Sequence, residues 1–182
     1  MKRIIIIPSD LEKTLRKHLF QNELEQGAFL FTKVHRNQNE LRLEAEDFYL
    51  VPEEGWQVQL EVYLEMKDSE RAKIMALARK AGYAAIDCHS HPGSNGEVDF
   101  SPSDRYGITD FAAYAKWKLD GKPFAATVWG EESLDAVVWM GDFKGALPVD
   151  EVRIHGSRVV SIKPRGTWFM FMKKSKPWWR RG

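Results

Sequence analysis

The stretch DCHSHPGSNGEVDFSPSD, residues Asp87 to Asp104, decides how the chain is read. It opens on His89 and His91, and on an extended strand that spacing points both imidazoles to the same side. They can share one ion. Asp104 follows thirteen positions after His91, across a loop long enough to fold back, at a helix start where the dipole and free amides favour a carboxylate. Two imidazoles and one carboxylate are the donor set of a hydrolytic zinc site, one Zn2+ per chain, with one tetrahedral position left for water. Such an ion brings the pKa of water towards neutrality and polarises a carbonyl, and a separate base must move the proton. Ser101, three residues before Asp104, is placed to present its hydroxyl to the oxyanion formed on that carbonyl. Pro92 and Pro102 restrict the two ends of the loop.

Upstream, Tyr83 to Cys88 reads as a short apolar strand leading into the histidines, and Ser101 or Ser103 caps the helix carrying Tyr106, Ile108 and Phe111. At the N-terminus, Arg3 to Ile7 is a β-branched run stopped by Pro8, which predicts a buried strand. Ser9 or Asp10 then caps a helix with Leu11, Leu15, Leu19 and Phe20 at helical spacing, ending near Asn22. QGAFLFTKVHR (26–36) and ELRLEAEDFYLV (40–51), separated by a polar turn at Asn37 to Asn39, predict a β-hairpin. Gln57 to Met66 alternates, with Val58, Leu60, Val62 and Leu64 on one face, and predicts one further strand. A helix follows, with Asp68 as its cap, Ile74, Leu77 and Ala78 as its buried stripe, and Gly82 as its end. Beyond the central helix, PFAATVW and LDAVVWM flank the turn GEES, and a last strand covers Glu151 to Ile162. Strand pairs joined by short turns favour antiparallel pairing. The expected class is α+β, or mixed α/β, with helices packed on a curved, mostly antiparallel sheet.

Length and 43% apolar content fit one domain of 182 residues with a substantial core. Lys plus Arg (27) nearly balance Asp plus Glu (26), so overall charge selects neither nucleic acid nor an acidic polymer as partner. The lone cysteine, Cys88, excludes an internal disulfide and suits a cytoplasmic protein. MKRIIIIPSD has no small-residue cleavage site after its apolar run, so it reads as a first strand and not a signal peptide. No stretch approaches the roughly 20 apolar residues that cross a bilayer, and a soluble protein is expected.

At His89, His91 and Pro92, and again at Ser101 and Asp104, the sequence resembles the JAMM/MPN metalloprotease family, whose signature is a distant Glu, then H-x-H-P, then S-x-x-D. The resemblance extends over roughly the first 140 residues, from the first strand and helix onward. It implies the MPN/JAB fold, which is cytidine-deaminase-like, in a domain spanning residues 1–162. Two departures are visible. The loop from His91 to Ser101 is longer than the family's usual spacing and carries Glu97 and Asp99, and Ala28 stands where glycine is commonest. The family places its general base at the start of the strand after the first helix. Glu25, followed by Gln26, Gly27 and Ala28, fits that place best, with Glu23 as the competitor. The activity implied is that of a zinc isopeptidase or peptidase cleaving after the C-terminal tail of a ubiquitin-like protein, closest to compact prokaryotic members that accompany ubiquitin-like activating and conjugating enzymes. A processing protease for a sulfur-carrier protein uses the same chemistry. A binding module with an occluded or unmetallated pocket is the alternative of another class.

The segment KPRGTWFMFMKKSKPWWRRG, residues 163–182, holds seven basic residues and no acidic ones, interleaved with Trp168, Phe169, Phe171, Trp178 and Trp179. That mixture suits an anionic membrane, a nucleic acid or a partner protein. Alternatively the WFMFM run completes the sheet or covers the core. His18, His35 and His155 have no partner pattern and are expected at surface or structural positions, and Cys88 is expected to be a packed strand residue.

Overall fold

The computed structural model describes residues 1–94, 96–141, 145–156, 159–162 and 164. The basic aromatic tail expected over 163–182 lies outside the described residues apart from Pro164.

In chain order the elements are β1 (Lys2–Pro8), α1 (Ser9–Leu19), β2 (Gly27–Arg36), β3 (Glu40–Leu50), β4 (Trp56–Gln59), β5 (Leu64–Met66), α2 (Asp68–Ala81), β6 (Ala84–Ser90), α3 (Pro102–Lys118), β7 (Phe124–Trp129), β8 (Leu134–Trp139), β9 (Leu147–Pro148), β10 (Glu151–His155) and β11 (Val159–Ile162). Among the described residues the class is α+β, with three α-helices and a mostly antiparallel main sheet. Parallel pairing occurs where β1 meets β3 and β10, and where β6 meets β7. The isoleucine run follows from this. Strand β1 is hydrogen-bonded on both sides, and Ile4, Ile5, Ile6 and Ile7 are all buried, so neither face of the strand alternates with polar residues.

Strand order in the main sheet is β11-β10-β1-β3-β2-β6-β7-β8-β9. That order cannot be flat. Strands β9 and β10 lie seven positions apart, which in a flat sheet is roughly 33 Å, yet the three chain steps from Pro148 to Glu151 span at most about 11 Å. The sheet therefore curls until its ends approach. The crossing is made at two residues. Val149 donates its amide to the Ala136 carbonyl of β8 at 3.3 Å, and Asp150 donates its amide to the Arg3 carbonyl of β1 at 2.9 Å. Two apolar layers result. One joins Ile5, Leu43, Leu30, Ile86, Ala125 and Val138 to Leu15 and Leu19 of α1. The other joins Phe29, Ala85, Phe124 and Trp139 to Ile74, Met75 and Ala78 of α2 and to Ile108, Phe111 and Ala115 of α3. Edge-to-face contacts of Phe111 with Phe29 (5.8 Å) and Phe124 (5.4 Å) fix the seat of α3 on the sheet.

Several local readings are corrected. The alternating run from Gln57 to Met66 is a hairpin, not one strand: Leu60 donates its amide to the Tyr63 carbonyl at 2.9 Å, which turns the chain and leaves Leu60 and Val62 exposed. Glu151 to Ile162 likewise divides into antiparallel β10 and β11. Helix α1 has Pro8 at its N-cap, with no side-chain cap from Ser9 or Asp10, and it ends at Leu19. Asp68 is the first residue of α2 and not its cap. Its buried stripe includes Met75, while Leu77 points to solvent. Gly82 ends α2 in the left-handed conformation, φ 75°, which a side chain would strain. None of the described helices is long and apolar enough to cross a membrane.

Candidate metal centre

Strand β6 delivers the first histidine. Along it Ile86 and Cys88 face the layer under α1, while Asp87 and His89 face the side of α2 and α3. His91 lies just past the strand end, held in line by its amide donating to the Trp129 carbonyl of β7 at 2.9 Å. The chain then turns at once. Pro92 and Gly93 (φ 74°) occupy the middle of the turn, and the Ser94 hydroxyl donates to the His91 carbonyl at 2.8 Å. The loop beyond is pinned to the β7–β8 turn: Gly93 donates its amide to Glu131 Oε1 and Val98 donates its amide to Ser133 Oγ, each at 2.9 Å. Phe100 is buried with its ring centroid 5.9 Å from that of His89.

Ser101 caps α3 in a capping box, accepting from the Asp104 amide at 3.1 Å while its own amide donates to Asp104 Oδ2 at 2.6 Å. That bond aims the carboxylate. Asp104 Oδ2 stands 3.4 Å from His89 Nε2 and 3.2 Å from His91 Nε2, and one ligand atom from each of the three residues lies within 4.8 Å of the others. Both Nε2 atoms are buried and make no hydrogen bond. Buried ring nitrogens that make no hydrogen bond are costly, and a divalent cation between them and the carboxylate removes that cost. The donor set fits a metal ion.

The charges agree. Burial alone would lower the His89 imidazole, but the carboxylates of Asp104, Asp87 and Glu25 outweigh it and raise its pKa. Burial alone would raise the Asp104 carboxyl, but the two imidazoles hold it well below the usual carboxylate range. Both shifts mark a place that favours positive charge. On the far side of the His89 ring, Nδ1 is 4.0 Å from Asp87 Oδ1.

Glu25 is buried, with Oε1 3.4 Å from His91 Nε2, whereas Glu23 is exposed. Desolvation pushes the Glu25 carboxyl up to about 7, against the opposing pull of His91 and His89. Its main chain is clamped from two sides. The amide donates to the Leu60 carbonyl at 3.0 Å, and its carbonyl accepts from Gln59 Nε2 at 2.9 Å. The next residue, Gln26, donates its amide to Ser90 Oγ at 3.0 Å and accepts from the Ser90 amide at 3.0 Å. Ser90 thus ties the Glu25 segment to the histidine strand, and Gln59 ties it to the β4–β5 hairpin. Sequence reading missed both residues. Ser90 lies between the histidines and was open to notice, but nothing in the chain marks Gln59, 34 residues from its partner.

A cavity of about 310 Å³ opens beside the ligands, with Trp56, Leu64, Met66, Ile108 and Phe111 among its apolar lining and His89, Ser103 and Asp104 among its polar lining. The remaining histidines stand apart from the cluster: His18 Nε2 is 3.0 Å from the Gly27 carbonyl, His35 pairs with Glu44 at 3.4 Å, and His155 ends β10. Cys88 is a buried free thiol in the layer under α1, and burial pushes its pKa up to about 12.

Comparison with protein-family models and with curated proteins finds no match for this chain.

Proposed function

We propose that this chain is a zinc-dependent hydrolase of the JAMM/MPN type, with the MPN/JAB fold, that cleaves an amide or isopeptide bond after the C-terminal tail of a ubiquitin-like protein. One observation carries the reading: two buried imidazole nitrogens that make no hydrogen bond and a helix-capping carboxylate converge within 4.8 Å, with a second, desolvated carboxylate 3.4 Å from one of them. His89, His91 and Asp104 would hold the ion, and two nitrogens with one oxygen suit zinc. When bound there, zinc supplies Lewis acidity towards a water and a substrate carbonyl.

The chain's own groups do the rest. Glu25 takes the proton from the attacking water and returns it to the leaving amine. A carboxyl near 7 suits both transfers at neutral pH. Asp104 stays ionised as a ligand because the capping box and the imidazoles favour its charged form. The cavity wall formed by the β4–β5 hairpin and α3 receives an extended, slim tail and keeps bulk water from it. A cytoplasmic setting beside ubiquitin-like activating and conjugating enzymes fits a chain whose single cysteine is buried and unpaired.

Incubation with a set of ubiquitin-like fusions, with and without chelator, followed by mass spectrometry of the products, tests both activity and cut position. The expected result is one chelator-sensitive cut at the end of the ubiquitin-like tail. Glu25→Gln should keep stoichiometric zinc and lose turnover, whereas His91→Ala should lose both. Full turnover by Glu25→Gln removes the proposed base. Purified protein that takes up no zinc removes the enzyme.

A further inference from the structure

The Ser101 hydroxyl is already engaged. It accepts from the Asp104 amide as the cap of α3, and the Ser103 hydroxyl stands 2.8 Å from it. Each serine hydroxyl has one proton and two lone pairs, so the two form a short chain with one proton left at an end. If Ser103 donates to Ser101, the spare proton sits on the half-buried cap residue. If Ser101 donates to Ser103, it sits on Ser103. Of the two, Ser103 lines the cavity together with His89 and Asp104, and it is exposed. A ligand oxygen in the cavity therefore meets Ser103 first, and it can do so without disturbing the cap that aims Asp104.

We propose that Ser103 is the hydroxyl that binds the oxyanion of the scissile carbonyl, with Ser101 as its positioning residue, a role that rests on the hydrolase reading above. As water adds to the carbonyl carbon, the C=O π pair moves onto oxygen, and the Ser103 O–H donates a hydrogen bond to it. Ser101 donates in turn to Ser103 Oγ, and the chained bonds strengthen one another. When the C–N bond breaks, the pair returns to re-form the carbonyl and the amine leaves with the proton carried by Glu25. Ser103 keeps its own proton throughout. An interaction that forms fully only as charge develops affects kcat and leaves KM nearly unchanged.

The test uses the zinc-loaded full chain and a ubiquitin-like fusion that the wild type cleaves. Ser103→Ala should lower kcat roughly 10- to 100-fold with KM within about twofold and zinc content unchanged. Ser103→Thr, which restores a hydroxyl, should recover most of the rate. Independently of turnover, calorimetry with a tail peptide whose scissile amide is replaced by a phosphinate should show a similar loss of affinity for Ser103→Ala, whereas binding of the uncleaved fusion to Glu25→Gln should not change when Ser103→Ala is added. Ser101→Ala should lower the melting temperature through loss of the cap. An active wild type matched by Ser103→Ala in both kcat and phosphinate affinity overturns the role of Ser103 alone. A wild type that binds zinc and cleaves none of the fusions overturns the hydrolase reading and this role with it.

Discussion

Glu25 shows how much of a residue's chemistry is set by partners distant in sequence. In the sequence Glu25 is preferred to Glu23 only because the run that follows it fits the family pattern, and nothing local states which of them turns inward. The choice is made by the Leu60 carbonyl and the Gln59 amide, which fix the Glu25 main chain and leave Glu23 in solvent. The histidines and Asp104 were legible for the opposite reason, since strand alternation and a helix cap are local geometry. Burial of Glu25 has a consequence for stability in the metal-free protein. Its carboxyl moves from 4.5 to about 7 on folding, so between those values the folded chain holds a proton that the unfolded chain has released. Stability therefore falls as pH rises through that window, by as much as about 3 kcal/mol once pH exceeds 7. Glu25→Gln removes the ionisation. In chelator, urea denaturation should find the variant more stable than wild type at pH 8 and close to it at pH 4.5. Equal differences at the two pH values would mean that the carboxyl is not desolvated.

The β4–β5 hairpin is the element that sequence reading handled worst. Its residues alternate as a single strand would, and no glycine or proline marks the reversal between Leu60 and Tyr63. What turns the chain is tertiary: Leu60 uses its carbonyl on Glu25, and Trp56 packs its ring against Gly27 at the start of β2. That contact makes a sharp prediction. A Cβ on Gly27 would lie 2.6 Å from Trp56 Cη2, too close for either to keep its place, and the same segment pairs with His89 in β6. Gly27→Ala should therefore destabilise by about 1–3 kcal/mol through overpacking. In a Trp56→Phe background, where that ring edge is absent, the added cost should shrink to well under half, and the four proteins form a double-mutant cycle read by urea denaturation. Additive effects would show that Trp56 does not set the position of Gly27. Helix α3, by contrast, was largely legible, because a serine three residues ahead of an acidic residue is a capping box that needs no distant partner.

At the scale of the whole molecule, hydrophobic pattern predicted the α+β class and most strands but not their order, since alternation says which face is buried and not which strand lies alongside. The closure of the sheet was hidden in a segment with no motif at all, Val149 and Asp150. There the carboxylate of Asp150 accepts from the Arg3 amide at 2.8 Å and from the Arg3 guanidinium at 3.0 and 3.3 Å, so one side chain fastens the crossing chain to β1. Burial tends to raise the Asp150 carboxyl, but Arg3 outweighs it and holds the pKa below the usual value of 3.8. A carboxyl lowered on folding adds stability that is present above its unfolded pKa and disappears as pH falls through the folded one. Asp150→Ala should thus cost about 1–2 kcal/mol at pH 7, a figure kept modest because the pair is partly solvated. Asp150→Asn, which keeps an acceptor for the Arg3 amide but no charge, should cost less. The gap between wild type and Asp150→Asn should narrow as pH is taken below about 4, where wild type begins to lose the charge as well. Urea denaturation across that range measures it. If both variants unfold with wild type at pH 7, Asp150 is a bystander, and the curl of the sheet is held by the packing of Leu15 and Leu19 against the strands they cover.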